Sequence, residues 1–408
     1  MRLSGISLLT DLILSHAREY RKHNFDEIAK RDCKPLKGDV LFSKDGTIGI
    51  TYVSKGEKNI VLLSSIAILR PNTHVDSYFL NYYLRNKKTQ NLLKGTHVSG
   101  SALPRIVLKE LKKLKVILPS IKEQTAIAKI VSDFDSAIGL NQRINNTLEA
   151  IGEAVFKRWF VDFEFPTEEG KPYKSSNGEM VYNEELKTEI PIDWQVLALD
   201  EIADFTRGFS YSGSEKSKSN GDLVFVTLNS ICEGGGFKRE FSYLTSSRLK
   251  ERHLVKEGDL ILANTHFGVG GSTNARILGT PALVEFPSNY GKKIGCYSHH
   301  ITKVTPFNDK MRYYLYYYLQ FNQPKAVEYK TGSFIWALDV KGFIQNERII
   351  IPNSKVLNIF SELSDVIFHS KVLNNKQSMS LSNMRDALLP KLMSGKIRVP
   401  INNKMVSQ

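Results

Sequence analysis

Residues 120–158 read SIKEQTAIAKIVSDFDSAIGLNQRINNTLEAIGEAVFKR, and this stretch decides the fold. Written as heptads it puts Ile127, Phe134, Asn141, Leu148 and Val155 at a, and Ile130, Ala137, Ile144, Ile151 and Arg158 at d. All but Asn141 and Arg158 are apolar and no proline intervenes, so the pattern predicts one long, coiled-coil-like helix. Pro119 disfavours helix at the residue before it, Ser120 is placed as N-cap, and Glu123 is placed to close a capping box. The helix is expected to end near Trp159 and Phe160, and Phe165-Pro166 opens an acidic linker reaching to about Ile190. The same frame returns later, with Phe360, Ile367, Asn374, Leu381 and Leu388 at a and Leu363 and Met384 at d. That second seam is weaker, since Ser370, Gln377 and Lys391 also occupy d, but Asn374 falls on the heptad layer of Asn141.

Each long helix follows a segment with the same grammar. Lys37-Gly38-Asp39-Val40-Leu41-Phe42 is answered by Glu257-Gly258-Asp259-Leu260-Ile261-Leu262, and Val116-Ile117-Leu118-Pro119 by Ile349-Ile350-Ile351-Pro352. A tyrosine-bearing helix over residues 78–84 is answered by one over 313–319, and Ser99-Gly100-Ser101 by Thr331-Gly332-Ser333. Val40-Leu41-Phe42, residues 61–63 and residues 66–69 read as short buried strands, and Tyr78, Tyr82 and Tyr83 as core or half-core packing rather than base-stacking platforms. The chain is thus an internal duplication with a long period. Its parts are expected at 1–119 (first globular segment), 120–160 (first long helix), 161–190 (linker), 191–352 (second globular segment), 353–396 (second long helix) and 397–408 (tail). The second copy has some thirty residues, from Pro191 through Arg207 to Gly221, ahead of anything resembling Met1 onwards, so the first copy is expected to lack its opening strands.

Two similar helices in one chain can bury their seams against each other at little cost if they run antiparallel. Asn141 and Asn374 would then face or neighbour each other and fix the register, the alternative being solvation at a loose interface. A helix of this length makes a strut of roughly 58 Å at about 1.5 Å per residue. Two modules held by such a strut suit the reading of two short sequences separated by a spacer.

Composition agrees with a nucleic-acid partner. The chain has 408 residues, 41% of them hydrophobic, and carries a net charge of +14. That charge resides mainly in residues 1–119 (+11), with 0 over residues 120–158, −5 over 159–190, +3 over 191–352 and +5 over 353–408. The basic excess points to an acidic partner, while the first helix is neutral, as suits a scaffold. No apolar run approaches the length of a membrane span, and a cytosolic protein is expected. Cys33, Cys232 and Cys296 are scattered without CxxC spacing, so neither a disulfide framework nor a zinc site is predicted.

Catalytic motifs are missing from the sequence. There is no Pro-Pro for an adenine-methylating loop and no GxxxxGK[ST], and Gly268-Val269-Gly270-Gly271 has the wrong spacing for a cofactor turn. Glu110-Leu111-Lys112 fits a nuclease triplet but lies in a helical Lys/Leu run where charge pairing is the simpler reading. His299-His300 has no spaced partners and reads as a strand or turn pair rather than a metal site. For DNA contact, short polar side chains on loops beside the repeated strands are the candidates, with Lys and Arg for phosphates. These are Lys44, Thr47, Ser99, Ser101 and Arg105 in the first copy, and Arg207, Tyr211, Asn264, Thr265, Thr331, Ser333 and Trp336 in the second. Each alone reads first as a turn or surface residue, and only the set together points to DNA contact. Lys112 and Lys113 are candidates for phosphate contact.

Pro119-Ser120 with Glu123-Gln124, then Asp135, Asn146-Thr147-Leu148-Glu149-Ala150-Ile151 and Phe156-Lys157-Arg158-Trp159-Phe160-Val161-Asp162-Phe163, resemble the first conserved region of type I restriction-modification specificity (S) subunits. Trp194 with Leu199, Ile202, Ala203 and Gly208, the ending Leu388-Leu389-Pro390-Lys391-Leu392-Met393-Ser394-Gly395-Lys396-Ile397, and Gly38-Asp39-Val40-Leu41-Phe42-Ser43 with Asp45-Gly46-Thr47-Ile48-Gly49 are similar to the same family. The resemblance implies an α+β fold in which two mixed α/β target recognition domains are separated by two long helices paired as an antiparallel coiled coil. It implies a non-catalytic subunit that reads a bipartite site in double-stranded DNA and docks two methyltransferase subunits, with ATP-dependent restriction subunits in the complex. S-adenosylmethionine, ATP and Mg would belong to those partners, and no cofactor or metal to this chain. The short first copy departs from the family pattern and keeps open a fragment that serves only as an assembly scaffold. A self-contained restriction-methylation enzyme would need the motifs that are missing.

Overall fold

A computed structural model describes residues 33–57, 60, 62, 64–95, 105–218, 220–267, 277–287, 289–333 and 335–400. The chain divides into two compact units: one holds Arg143–Lys376, the other the described parts of Arg2–Gln142 and Gln377–Gln408. The expected lack of opening strands in the first copy falls on residues 1–32 and lies outside the described residues.

In the unit that holds the first copy, a central strand, Val40–Ser43, pairs antiparallel with Thr51–Val53 on one side and Ile66–Leu69 on the other. It is entered through a turn at Gly38, whose φ of +90° is open to glycine at little cost. Buried Asp39 secures that turn, accepting from the Leu36 N–H and bidentately from Arg70. Burial opposes its charge, yet these donors hold the carboxyl below the usual range. Val40, Phe42, Val53, Ala67 and Leu84 form the core under the helix Ser77–Arg85. Tyr82 of that helix is buried and Tyr83 half-buried, but Tyr78 points outward, 48% exposed, because it lies off the face that meets the sheet. Of the expected strand at 61–63, Leu62 is buried outside any strand and its neighbours lie outside the described residues.

The first long helix, Ile121–Phe156, continues as a π-helical turn over Lys157–Val161, and the second runs Ser354–Met393. In each unit they run antiparallel. Asp135 faces Arg385, and Glu123 faces Arg398, in the unit with the first copy. Glu149 faces Lys371, and Phe160 faces Phe360, in the other. The capping box expected of Glu123 is therefore only half made: Ser120 accepts its N–H at a long 3.4 Å, while its carboxylate goes to Arg398 instead of the Ser120 N–H.

The seam is not the a/d seam that apolarity suggests. Ile144 and Ile151, at d, are exposed, whereas the e positions Val131 and Gly152 are buried, and on the second helix the e positions Ser364 and Leu392 are buried as well. The physical reason is size. A Cβ on Gly152 would stand 1.9 Å from the Tyr317 hydroxyl, so the absence of a side chain there lets the tyrosine helix lie against the long helix.

The unit with the second copy repeats the central arrangement. Leu260–Ala263 pairs antiparallel with Pro281–Leu283 and with Ile301–Pro306, after a turn at Gly258 with φ of +86°. Here Ala203–Arg207 extends the sheet beyond Ile301–Pro306, and a five-stranded sheet built on Leu223–Val226 and Gly295–Tyr297 is added. Tyr313 to Leu319 are buried almost throughout in the helix Met311–Phe321, with Phe160 4.7 Å from Tyr314 and 4.8 Å from Phe360 between ring centroids. The segment read as an open linker is pinned: Phe165 stacks on Tyr173 and Trp194, and a hairpin joins Met180–Asn183 to Thr188–Pro191. Among the described residues no helix is long and apolar enough to cross a membrane.

Candidate nucleic-acid interface

The two copies place a polar residue at the same point, just beyond the end of the central strand. Lys44 donates its N–H to the Ser65 carbonyl and accepts from Ile106 through its own. Asn264 donates to the His300 carbonyl and accepts from Leu338 in the same way. The next residues match too, since Asp45 bridges to Arg105 and Thr265 to Ala337. Lys44 and Asn264 are thus equivalent positions carrying different chemistry.

In the first copy this strand end is closed by charge. Lys44 is buried and its Nζ lies 3.2 Å from Asp45, which also takes Arg105 at 3.1 Å. Thr47 is exposed in the following loop, and its carbonyl accepts from the Ser43 hydroxyl at 2.6 Å. Ser99 and Ser101 lie outside the described residues. Glu110, in the short helix Leu108–Leu111, pairs at 2.8 Å with Lys113 in the turn just beyond it, as charge pairing predicts, and Lys112 is exposed.

The second copy brings three of its candidates together around the turn at His299-His300. Arg207 donates through Nε to the His299 carbonyl at 3.0 Å, and Asn264 donates through Nδ2 to the same carbonyl at 3.2 Å and to the Thr302 hydroxyl at 3.0 Å. Thr265 lies 3.0 Å from His300 Nδ1. Arg207, Asn264, Thr265 and Thr302 line one cavity of about 380 Å³ together with Asp339 and Lys341. Burial first, then the neighbouring His299 and Arg207, pushes the His300 imidazole down to about 4, and burial lowers His299 as well. Both imidazoles are therefore neutral at pH 7, and each offers one donor and one acceptor.

Tyr211 sits beside this turn, edge-on to Phe225 at 4.8 Å and 5.9 Å from His299, with Lys216 over its ring. Thr331, Ser333 and Trp336 belong to a neighbouring small sheet, in which Thr265–Phe267 pairs with Ile335–Leu338. There Trp336 stacks on His266 and carries Lys330 over its face at 5.0 Å, Thr331 donates to the Ala337 carbonyl, and Ser333 is exposed. The sequence reading did not single out Thr302, His266 or Lys330. His299-His300 was visible as a dipeptide, but only the fold shows its carbonyl gathering Arg207 and Asn264. Gly268 to Gly271 lie outside the described residues, and among the described residues no group of three or more His, Cys, Asp or Glu could hold a metal ion.

On the long helices, Asn141 donates to Gln377 and Ser378, and Asn374 donates to Asn145, each pairing within its own unit. In the unit with the second copy, Ile144 and Ile151 on one helix and Ile359, Val366 and Leu373 on the other are exposed at seven-residue spacing. Apolar side chains repeated at that interval form a stripe along a helix surface.

The family described as "Type I restriction modification DNA specificity domain" matches residues 16–150 and 191–375, both copies of the duplication. The chain is 29% identical over 383 residues to the type I restriction enzyme MjaIX specificity subunit of Methanocaldococcus jannaschii, covering 93% of this chain and 82% of that one. It is 23% identical to the type I restriction enzyme HindI specificity subunit of Haemophilus influenzae, covering 88% of this chain and 87% of the relative. The fold is similar to the crystal structure of the type I restriction-modification system S subunit from M. genitalium, with a TM-score of 0.50 at 16% identity, over 88% of this chain and 83% of that one.

Proposed function

The chain belongs to the type I restriction-modification DNA specificity family, and from that premise we propose that each half reads one part of a split DNA target while the long helices dock methyltransferase subunits. It is the DNA-recognition subunit of such a system and not its catalyst. The observation that carries the split reading is the equivalence of Lys44 and Asn264, one polar strand end per copy, set beside loops of short hydrogen-bonding residues. Short polar side chains suit base edges and the basic surroundings suit phosphates.

Two exposed rows, Ile144 with Ile151 on the first helix and Ile359 with Val366 and Leu373 on the second, support docking, because apolar side chains spaced by heptads on exposed helices are suited to partner helices. On this reading S-adenosylmethionine, ATP and Mg act in the partner subunits, ATP-dependent restriction subunits complete the assembly, and the complex works on chromosomal DNA in the cytoplasm. The DNA contacts are assigned to Thr47, Arg105, Arg207, Tyr211, Asn264, Thr265, Thr331, Ser333 and Trp336, with Lys44 acting through its pairing to Asp45.

A second reading, an assembly scaffold with one silent half, is favoured by the mutual engagement of Lys44, Asp45 and Arg105, which occupies the first copy's strand end internally. Single-molecule methylome sequencing of cells expressing this chain with its cognate methyltransferase separates the two. A split motif with methyladenine in both halves supports the full reading; a single half-motif supports the scaffold, and no motif at all removes DNA recognition.

A further inference from the structure

The side chain of Asn264 is 4% exposed, and its carboxamide is held from one side only. Its amino group donates to the His299 carbonyl and the Thr302 hydroxyl. A carbonyl can only accept, so this contact fixes which way the amide faces, and the carboxamide oxygen is left as a buried acceptor without a partner. An acceptor stripped of water and unpaired is costly, and such a group in a native fold calls for a reason. Asn264 lines the cavity shared with Arg207, Thr265 and Thr302, and Arg207 is braced on the same His299 carbonyl through Nε. One carbonyl therefore braces both side chains, the amide of Asn264 and the guanidinium of Arg207.

We propose that this cavity is a base-reading pocket for adenine, in which Asn264 Oδ1 accepts from the exocyclic amine and the Arg207 guanidinium donates to ring nitrogen N7. The assignment rests on the DNA-recognition reading above and deepens it to one base and two side chains. In the major groove adenine alone offers an amine donor beside an acceptor nitrogen, whereas guanine offers two acceptors and cytosine and thymine one group each of this kind. An acceptor beside a donor complements that edge and leaves guanine with oxygen facing oxygen. The adjoining imidazoles add no competing positive charge at pH 7, since burial keeps both neutral. The equivalent first-copy position carries Lys44, a donor without acceptor capacity, so the two halves cannot share this preference.

The test uses the complex of the full chain with its cognate methyltransferase and duplexes carrying the methylome-derived target. Each adenine in the half-site read by the second copy is replaced in turn by purine, which lacks the amine, or by 7-deazaadenine, which lacks the N7 acceptor. One adenine is expected to lose about tenfold or more in affinity with either analogue, in line with the worth of a bidentate base contact. With Asn264→Ala the purine penalty at that adenine is expected to disappear while the 7-deaza penalty persists. Insensitivity of every adenine, or a purine penalty unchanged in Asn264→Ala, overturns the pocket assignment while leaving DNA recognition standing. Failure of the unmodified target to bind at all would instead remove the reading beneath it. The analogue series on the native chain decides the matter even where the variant does not fold.

Discussion

At Gly208 a methyl group would stand 2.4 Å from the Ser298 carbonyl oxygen and 2.6 Å from the Tyr297 carbonyl oxygen. Both neighbours are backbone, held by the Gly208 and Phe209 N–H groups bonding across to Ile301 and Tyr297. Gly208→Ala is therefore expected to cost about 1–3 kcal/mol by overpacking, seen as a lowered midpoint of thermal unfolding, and to displace the adjoining Arg207. An unchanged midpoint would show that the strand moves aside freely. His300 adds a pH dependence. Its folded pKa, pushed from 6.5 down to about 4, means that the unfolded chain takes up the proton first. Its contribution to stability is full above pH 6.5 and is lost as pH falls toward 4. Discounted for partial exposure, the loss is about 1 kcal/mol. Thermal melts between pH 7.5 and pH 4.5 should steepen in the native chain and flatten in His300→Gln. Equal slopes would reassign the effect to other groups.

At the scale of elements, the long helices show what could be read in advance and what could not. Their existence and ends were legible because an apolar frame free of proline, bounded by Pro119, leaves few alternatives. The duplication was legible because Gly38-Asp39 and Gly258-Asp259 mark the same positive-φ turn before the same central strand. The contact stripe was not, because it uses half-buried Asn145 and buried Gly152, which no hydrophobic pattern selects. Asn145 is drawn in by bonds to Lys371 and Asn375, and Gly152 by the space that Tyr317 needs. The candidate site was half legible for a similar reason: residue type singled out Arg207, Asn264 and Thr265, but only a turn more than thirty residues away in sequence brings Arg207 and Asn264 to one carbonyl and Thr265 to the neighbouring imidazole. On the proposed reading, the isoleucines displaced from the seam serve docking. Ile144→Asp with Ile151→Asp is expected to leave the thermal midpoint within about 0.5 kcal/mol equivalent, since both sites are exposed, yet to weaken binding of methyltransferase at least tenfold. Titration by calorimetry checks this. Unaltered affinity would move the docking surface elsewhere.

At the scale of the whole molecule, both long helices cross the division between the units, which falls after Gln142 in one and after Lys376 in the other. A helix pair that joins two reading modules sets the spacing of their half-sites, on the proposed reading, by its own length. A full heptad inserted at both points preserves the a and e frame, so Asn141 keeps Ser378 and Asn374 keeps Asn145 as partners. Seven residues add about 10.5 Å at a rise of about 1.5 Å per residue. Divided by about 3.4 Å per base pair, that is about three base pairs. The expected outcome in a methylome is the same two half-motifs separated by a spacer about three base pairs longer, with methylation reduced but present. Two residues inserted at the same points would instead rotate each helix by about 200° across the insertion, so that the e positions on its two sides no longer share one face, and should abolish specific methylation. A heptad variant that keeps the native spacer would show that the modules find their sites by flexibility, and the helices would then be docking elements alone.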